Sequence, residues 1–370
     1  MTDMMTPLQY AQAACDTMMR KFAAPDLPPR GHFHYHQGVF LSGMHQTWQL
    51  YKNDAYFQYI KAWVDSVFDE KGAIRECAFA DLDDIQPGIL LFPLLDETGD
   101  PYYLKCLASV YEEVKHIPRN DLGGYWHKCK LTDQMWLDGL YMAGPFCAEY
   151  ARRFDLPALT DDTVHQALLM EKVTKDEKTG LLRHAWDKTK TAPWADRETG
   201  KAPEFWGRSM GWVPVALLNE LDFIPENHPG YQDVARMAVE LLKNLCRYQS
   251  ADGRWYQVVD KGDQEGNWLE NSCSCLYVAG LCKAVRKGFL PASFLENAKR
   301  GYEGVIRSLT WDGNDLLIGN VCVGTGVGDY AFYCARPTSV NDLHGVGAFL
   351  IMCTEMQMAL DAGLSSGNPG

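Results

Sequence analysis

The chain of 370 residues has little that would place it in a membrane or an oxidising compartment. Residues 1–7 lack the basic segment and the apolar stretch of a secretory leader, and no apolar run approaches the length that spans a bilayer. We therefore expect a cytoplasmic protein with no membrane partner.

Positive charge is also scarce. The chain carries 35 Lys and Arg against 48 Asp and Glu, which gives a formal net charge of −13. A field of this sign repels nucleic acids and anionic lipid surfaces, so we expect no nucleic-acid partner. A small acidic substrate is still compatible with the sequence, but it needs a local group of Arg, His or backbone donors.

Motifs for metals and cofactors are missing as well. The twelve cysteines are scattered, and Cys106, Cys147, Cys282 and Cys353 lie among apolar residues of predicted helices, as reduced core thiols do. The closest spacing, at residues 273–275, is not that of a zinc cage. Phosphate-binding loops and HExxH are absent too, so we expect no cofactor and no metal.

The chain has almost no alternating strand pattern and no Pro- or Ser-rich linker, which favours one all-α domain over residues 1–370. Apolar residues recur instead at spacings of three and four. They predict helices over 8–22, 39–50, 55–68, 86–95, 102–115, 133–154, 161–173, 205–221, 230–248, 269–287, 293–309 and 342–360.

About twelve helices form about six hairpins. A bundle or a solenoid is compatible with this count, but the long segment 183–204 favours an (α/α)6 barrel, a toroid of six helical hairpins. Loops of this length in compact domains usually carry function. We expect such loops to gather at one mouth of the barrel.

Asp138 is the most conspicuous polar residue, because it lies inside an apolar run just where a helix is expected to begin. Burial would raise the pKa of its carboxyl and suit it to general acid catalysis. Capping of the helix by backbone amides explains the same residue equally well. Nearby His127 and Trp136 lie in the same transition from loop to helix.

Two further groups could serve an acidic sugar. Asp81, Asp83 and Asp84 precede another apolar helix, and helix capping accounts for one such acid but not for three. Arg208 and Trp212 are four residues apart, so a helix would present them on one face as a cation beside a stacking ring. Simple packing of Arg on Trp is the alternative.

With these segments in view, the sequence resembles the unsaturated rhamnogalacturonyl hydrolases of glycoside hydrolase family 105 over nearly its whole length. The matching stretches are FHYHQG (33–38), LDDIQPG (82–88), YWHK (125–128), QMWLDGLY (134–141), HAWD (184–187), FWGRSMGW (205–212) and NDLHGVG (341–347). The resemblance implies an (α/α)6 barrel that acts on an unsaturated uronyl oligosaccharide, a fragment that a polysaccharide lyase leaves behind.

By the same resemblance, Asp138 is the catalytic acid/base and Asp83 its partner carboxylate, with Asp84 as the other choice for that partner. The residues expected to line the substrate pocket are Tyr35, His127, Trp136, His184, Arg208 and Trp212. The implied reaction hydrates a vinyl ether: Asp138 protonates C4 of the 4,5-unsaturated galacturonyl ring and then activates water for addition at C5.

Three alternatives share parts of this pattern. A glucuronyl hydrolase acting on glycosaminoglycan fragments has the same barrel and mechanism. An inverting glycosidase would use Asp138 as acid and Asp83 or Asp84 as base on saturated sugars. A non-catalytic sugar-binding protein has no need of His127, Asp138, His184 and Arg208 together.

Overall fold

The protein is a barrel of helices. Its structure, a computed structural model, describes residues 5–76 and 81–364. The α-helices in this part of the chain are α1 (Pro7–Lys21), α2 (Tyr35–Tyr51), α3 (Asp54–Val67), α4 (Leu91–Thr98), α5 (Tyr102–His116), α6 (Asp138–Arg153), α7 (Pro157–Thr174), α8 (Gly207–Glu220), α9 (Tyr231–Cys246), α10 (Asn271–Arg286), α11 (Leu295–Arg307), α12 (Tyr330–Cys334) and α13 (Leu343–Asp361).

Six helical segments form a closed inner ring. In order around the ring they are α2, the 3-10 turn Gln86–Leu90 that leads into α4, then α6, α8, α10 and α13, which returns to α2. Helices α1, α3, α5, α7, α9 and α11 alternate with them along the chain and lie outside. The predicted (α/α)6 barrel is therefore confirmed.

The two layers differ in composition because they differ in exposure. Residues Asn271 to Val285 of α10 are all buried, as expected for an inner helix that is covered on every side. Outer helices are amphipathic: α11 buries Leu295, Ala298 and Val305 and carries charged residues on its other face. Some predicted start signals are also present, since Asn53 accepts a hydrogen bond from the amide of Ala55 at the start of α3.

Short strands replace the start of two predicted helices. They form four antiparallel pairs: β1 (Gln134–Trp136) with β2 (Ala185–Asp187), β3 (Trp255–Tyr256) with β4 (Leu269–Glu270), β5 (Thr310–Asp312) with β6 (Asp315–Leu317), and β7 (Val321–Cys322) with β8 (Thr338–Ser339). The helix predicted over 133–154 begins only at Asp138, directly after β1. The helix predicted over 269–287 begins at Asn271, directly after β4.

One expectation about apolar runs is wrong. Helix α13 is long and apolar enough by composition to cross a bilayer. It is nevertheless mostly buried, and it packs between α2 and α10 as a core helix of the inner ring. The cysteines agree with their predicted role as thiols: Cys106, Cys147, Cys282 and Cys353 are buried and free.

Candidate active site

A cleft opens where the first turns of α2, α6 and α8 converge. Its free volume, open mouth included, is about 600 Å³. The residues that line it are His34, Tyr35, His36, Asp83, His127, Lys128, Trp136, Asp138, Met142, Trp206, Arg208, Gly324 and Thr325. The amino-terminal ends of three helices carry partial positive charge, so the cleft suits an anionic ligand despite the protein's negative net charge.

Six of the eight predicted site residues line this cleft: Tyr35, Asp83, His127, Trp136, Asp138 and Arg208. Of the two acids that the sequence left open, Asp83 lines the cleft and Asp84 is not among its lining residues. A larger cavity at the other end of the barrel shares Met142 with the cleft but lacks Asp83 and Asp138.

Asp138 is the first residue of α6, and a chain of hydrogen bonds reaches it from behind. Nε2 of His184 lies 3.1 Å from Oδ2 of Asp138, and Nδ1 of His184 lies 2.6 Å from the hydroxyl of Tyr333. The amide of Gly328 donates to that hydroxyl at 3.3 Å. Because a carboxylate can only accept, Nε2–H of His184 donates to Asp138.

The strand pair β1–β2 explains why His184 and Asp138 meet. Trp136, at the end of β1, pairs with Ala185 at the start of β2. His184 therefore lies immediately before β2 and Asp138 shortly after β1, at the same end of the strand pair. His184 is fully buried and supports the carboxylate without lining the cleft. Most of segment 183–204 folds on itself around Asp187, whose carboxylate accepts hydrogen bonds from the backbone amides of Thr189 and Thr191.

The expected rise in the pKa of Asp138 is wrong. Burial does raise the pKa, but the hydrogen bond and charge of His184, followed by the charges of His127 and Arg208, outweigh it. The net pKa lies below the ordinary value of 3.8. Asp138 is therefore a carboxylate near pH 7.

Asp83 lies beside one ammonium group and two imidazole rings. Nζ of Lys128 is 2.5 Å from Oδ2 of Asp83, Nε2 of His127 is 3.6 Å from Oδ1, and Nε2 of His34 is 3.9 Å from Oδ2. Burial raises the pKa of Asp83, while His127, Lys128 and His34 lower it, and the result is a pKa of about 2. Both cleft carboxylates are thus charged before a ligand arrives.

Arg208 has an aromatic neighbour other than the predicted one. Its guanidinium lies 4.5 Å from the ring centroid of Trp206. Trp212 instead stacks on Tyr141 at 4.6 Å and is not among the residues that line the cleft. Four residues advance a helix by about 6 Å, which puts Trp212 one turn deeper in the barrel.

The buried Arg208 also joins distant segments. Its Nη1 donates to the carbonyl of Cys322 at 2.6 Å and its Nη2 to that of Val323 at 3.0 Å. Glu270 lies 3.9 Å away as a buried counter-charge. These bonds hold the guanidinium rigidly in the wall of the cleft, and its charge reaches Tyr35 and Asp138.

Sequence reasoning did not select seven of the lining residues: His34, His36, Lys128, Met142, Trp206, Gly324 and Thr325. Three of them, His34, His36 and Lys128, are direct neighbours of residues that were selected, and the other four are not. Burial, followed by the charges of His344 and His34, lowers the pKa of His36 to about 3, so this ring is neutral near pH 7.

Trp136 and His127 form one flat wall, with ring centroids 4.6 Å apart and an interplanar angle of 15°. Aromatic faces, paired carboxylates and fixed cations together suit the C–H faces, hydroxyls and carboxylate of an acidic sugar. A helical barrel with such a cleft is characteristic of a carbohydrate-active enzyme.

Comparison with known proteins agrees with this class. The family model described as Glycosyl Hydrolase Family 88 matches residues 10–360, and the chain belongs to this family. The protein is a glycoside hydrolase.

Two relatives indicate its place within the family. A solved glycoside hydrolase of family 105 from C. acetobutylicum ATCC 824 is 33% identical, with a TM-score of 0.90 over 94% of this chain and 99% of that one. The unsaturated rhamnogalacturonyl hydrolase YesR of Bacillus subtilis is 26% identical over 78% of this chain and 79% of its own length. The resemblance to family 105 is therefore confirmed.

The fold extends to more distant proteins. An unsaturated glucuronyl hydrolase from Bacillus sp. GL1, responsible for the degradation of glycosaminoglycan, is 14% identical. Its TM-score is 0.74 over 95% of this chain and 96% of that one. This likeness shows the shared barrel alone.

Proposed function

We propose that the protein releases a 4,5-unsaturated galacturonyl residue from the non-reducing end of rhamnogalacturonan-derived oligosaccharides. The observation that carries the proposal is the position of Asp138, which faces an anion-compatible cleft and is backed by His184 and Tyr333. The name of the B. subtilis relative supports the substrate class. An unsaturated uronate is an anion, and the helix amino termini, Arg208 and Lys128 would attract its carboxylate.

The proposed reaction adds water across the C4=C5 vinyl ether. Asp138 gives a proton to C4, the positive charge that develops at C5 is shared with the ring oxygen, and water attacks C5. Asp138, now a carboxylate, takes the proton that this water loses. The resulting hemiketal opens and the glycosidic bond to the next sugar is lost. No bond at the anomeric carbon is attacked directly.

Asp138 must be protonated before it can act, although its pKa in the protein alone lies below the ordinary value. A bound uronate brings a further negative charge into the same desolvated space, and like charges raise each other's pKa. Binding of an acidic substrate would therefore prepare the general acid. A neutral sugar would leave Asp138 ionised, which favours unsaturated uronates over saturated neutral substrates.

The test is Asp138→Asn, followed by loss of the ultraviolet absorbance of the unsaturated ring. We expect the turnover to fall by about 100- to 10,000-fold, the range typical of general acid–base catalysis. The matched control is Asp233→Asn in α9, whose carboxylate is 58% exposed. An Asp138→Asn protein that bleaches the substrate at the wild-type rate would overturn the role of Asp138.

The substrate class has a test of its own. Unsaturated galacturonyl-rhamnose should be hydrolysed with a higher kcat/KM than unsaturated chondroitin disaccharide. The opposite preference would assign the protein to glycosaminoglycan fragments, and turnover of saturated sugars alone would indicate an inverting glycosidase. A cytoplasmic location remains a prediction, which the free cysteines of the described chain support.

A further inference from the structure

Three potential metal ligands meet beside the cleft, which one of them, His36, helps to line. They are His36 in the first turn of α2, Asp342 just before α13, and His344 in the first turn of α13. Their ligand atoms all lie within 4.8 Å of one another. Because α2 and α13 are neighbours in the inner ring, this group joins the first and the last helix of that ring.

The hydrogen bond of His344 fixes the state of its ring. Nε2 lies 3.0 Å from the carbonyl oxygen of Cys322. A carbonyl can only accept, so Nε2 carries the hydrogen. In a neutral ring, Nδ1 is then the nitrogen with a free electron pair.

That free nitrogen makes no well-directed hydrogen bond to any residue that the structure describes, although His344 lies close enough to Asp342 to lower the pKa of that carboxyl. His344 is fully buried, and its Nδ1 is 2.7 Å from Oδ1 of Asp342 but outside hydrogen-bond geometry. An electron pair that faces a carboxylate oxygen at this distance is repulsive unless a positive charge lies beside both. A bound cation would supply that charge.

His36 completes the group with a nitrogen of its own. Its Nδ1 is 3.0 Å from Nδ1 of His34, and its Nε2 is 3.9 Å from Oδ1 of Asp342. If Nδ1 of His36 donates to His34, the electron pair of Nε2 is free on the side of Asp342. The three residues then offer two imidazole nitrogens and one carboxylate oxygen.

We propose that His36, Asp342 and His344 bind one divalent transition cation, with Zn²⁺ as the best-matched ion. Two imidazoles and a carboxylate form a common ligand set for such ions, with water in the remaining position. The Cys322 carbonyl orients His344 from behind, as backbone carbonyls do for metal-bound histidines. The nearby positive charge of Arg208 opposes the ion, and Asp342 supplies the compensating negative charge.

The ion would also have a consequence for the cleft. It would tie the first turn of α2 to that of α13, and the residues just before His36, His34 and Tyr35, line the cleft. The ion would thus hold these two side chains in position. The sequence predicted no metal because Asp342-Leu343-His344 supplies only two ligands, and the third comes from the other end of the chain.

The test measures metal binding directly. The full chain is stripped with EDTA and dialysed against Co²⁺ or Zn²⁺, and bound metal is quantified, with the visible absorbance of Co²⁺ as a report on its ligands. We expect one ion per chain and a higher Tm with Zn²⁺. His344→Gln should weaken binding by about 100-fold or more. The matched control is His228→Gln, which removes an outer histidine paired with Asp161 at 2.9 Å.

Each other outcome overturns the proposal. Wild-type protein without stoichiometric metal would mean that His344 is a protonated ring paired with Asp342. Equal binding by wild type, His344→Gln and His228→Gln would mean that the ion binds elsewhere. Asp342→Asn provides a second variant, checked by circular dichroism, should His344→Gln fail to fold. These measurements do not depend on enzymatic activity, so they stand apart from the test of Asp138.

Discussion

Asp83 and Asp138 are both ionised near pH 7, but different neighbours lower their pKa values. Asp83 has the ammonium group of Lys128 and two imidazoles around it, whereas Asp138 depends mainly on the hydrogen bond from His184. Each carboxylate can therefore be perturbed separately. This separation makes the pH dependence of activity informative about individual side chains.

At the residue scale, Lys128→Met should raise the pKa of Asp83 from about 2 toward or above its ordinary value of 3.8. The pKa of Asp83 is lowered in the folded protein, so the contribution of this carboxylate to stability is present above pH 3.8 and is lost as the pH falls through 2. We expect the acidic limb of kcat/KM to move to higher pH, because Asp83 then needs a higher pH to ionise.

The control for Lys128→Met is Lys61→Gln, which breaks a surface pair with Asp65 on α3. This variant should keep the wild-type profile, because exposed pairs between residues four apart contribute little. An acidic limb that does not move in Lys128→Met would contradict the role assigned to Lys128.

At the scale of elements, the barrel closes where α2 and α13 pack at very short range. A Cβ atom at Gly347 would lie 2.5 Å from the backbone carbonyl carbon and oxygen of Val39. Backbone cannot move aside as a flexible side chain can. This contact sets the distance between the two helices whose first turns carry His36 and His344.

Gly347→Ala should therefore lower the free energy of unfolding by about 1 to 3 kcal/mol, the usual cost of overpacking, although alanine is the better helix former. The measurement is the midpoint of urea unfolding. Gly319→Ala is the matched control, because its Cβ would meet only Val340 Cγ2 at 3.8 Å. Equal midpoints for the two variants would show that the closure tolerates a wider spacing.

Helix starts also decided which aromatic ring faces the cleft. Trp206 lies one residue before α8 in an extended conformation, while Trp212 lies inside the helix. The spacing of Arg208 and Trp212 was correctly assigned to one helix. Spacing could not show where that helix begins relative to the barrel mouth. Because the helix begins at Gly207, Trp206 faces the cleft and Trp212 does not.

At the scale of the whole molecule, an uncompensated acid limits stability at alkaline pH. Glu220 is 1% exposed at the end of α8, and both its carboxyl oxygens are buried without a hydrogen-bond partner in the described structure. Burial raises the pKa of this carboxyl to about 8 from an ordinary 4.5. It is therefore neutral in the folded protein at pH 7 and ionised in the unfolded chain.

This pKa fixes the sign of a pH effect. The pKa of Glu220 is higher in the folded protein than in the unfolded chain. The free energy of unfolding is therefore not reduced by this carboxyl below pH 4.5, and it falls as the pH rises from 4.5 through 8. Glu220→Gln removes the ionisation with little change of shape. The free energy of unfolding of Glu220→Gln should exceed that of wild type by a difference that grows by about 1.4 kcal/mol per pH unit across this window.

Urea unfolding at a series of pH values measures this difference. Glu303→Gln, which changes a carboxylate that is 65% exposed, should follow wild type throughout. A constant difference between Glu220→Gln and wild type at all pH values would refute the raised pKa of Glu220.

The sequence by itself determined the class of fold and most of the cleft. Apolar spacing predicts helices because a helix turns every 3.6 residues, and the motifs around Asp83, Asp138 and Arg208 lie at helix starts, where an inner ring gathers side chains. These features are local along the chain. They are therefore readable without knowledge of what packs against them.

Only the tertiary structure decided the charge of Asp138 and which residues contact one another across the barrel. The pKa of Asp138 depends on His184 and Arg208, which other parts of the chain bring close. The same holds for Tyr333 behind His184 and for His36 beside Asp342 and His344. Electrostatic free energies depend on distance and burial in three dimensions, and a linear sequence records neither.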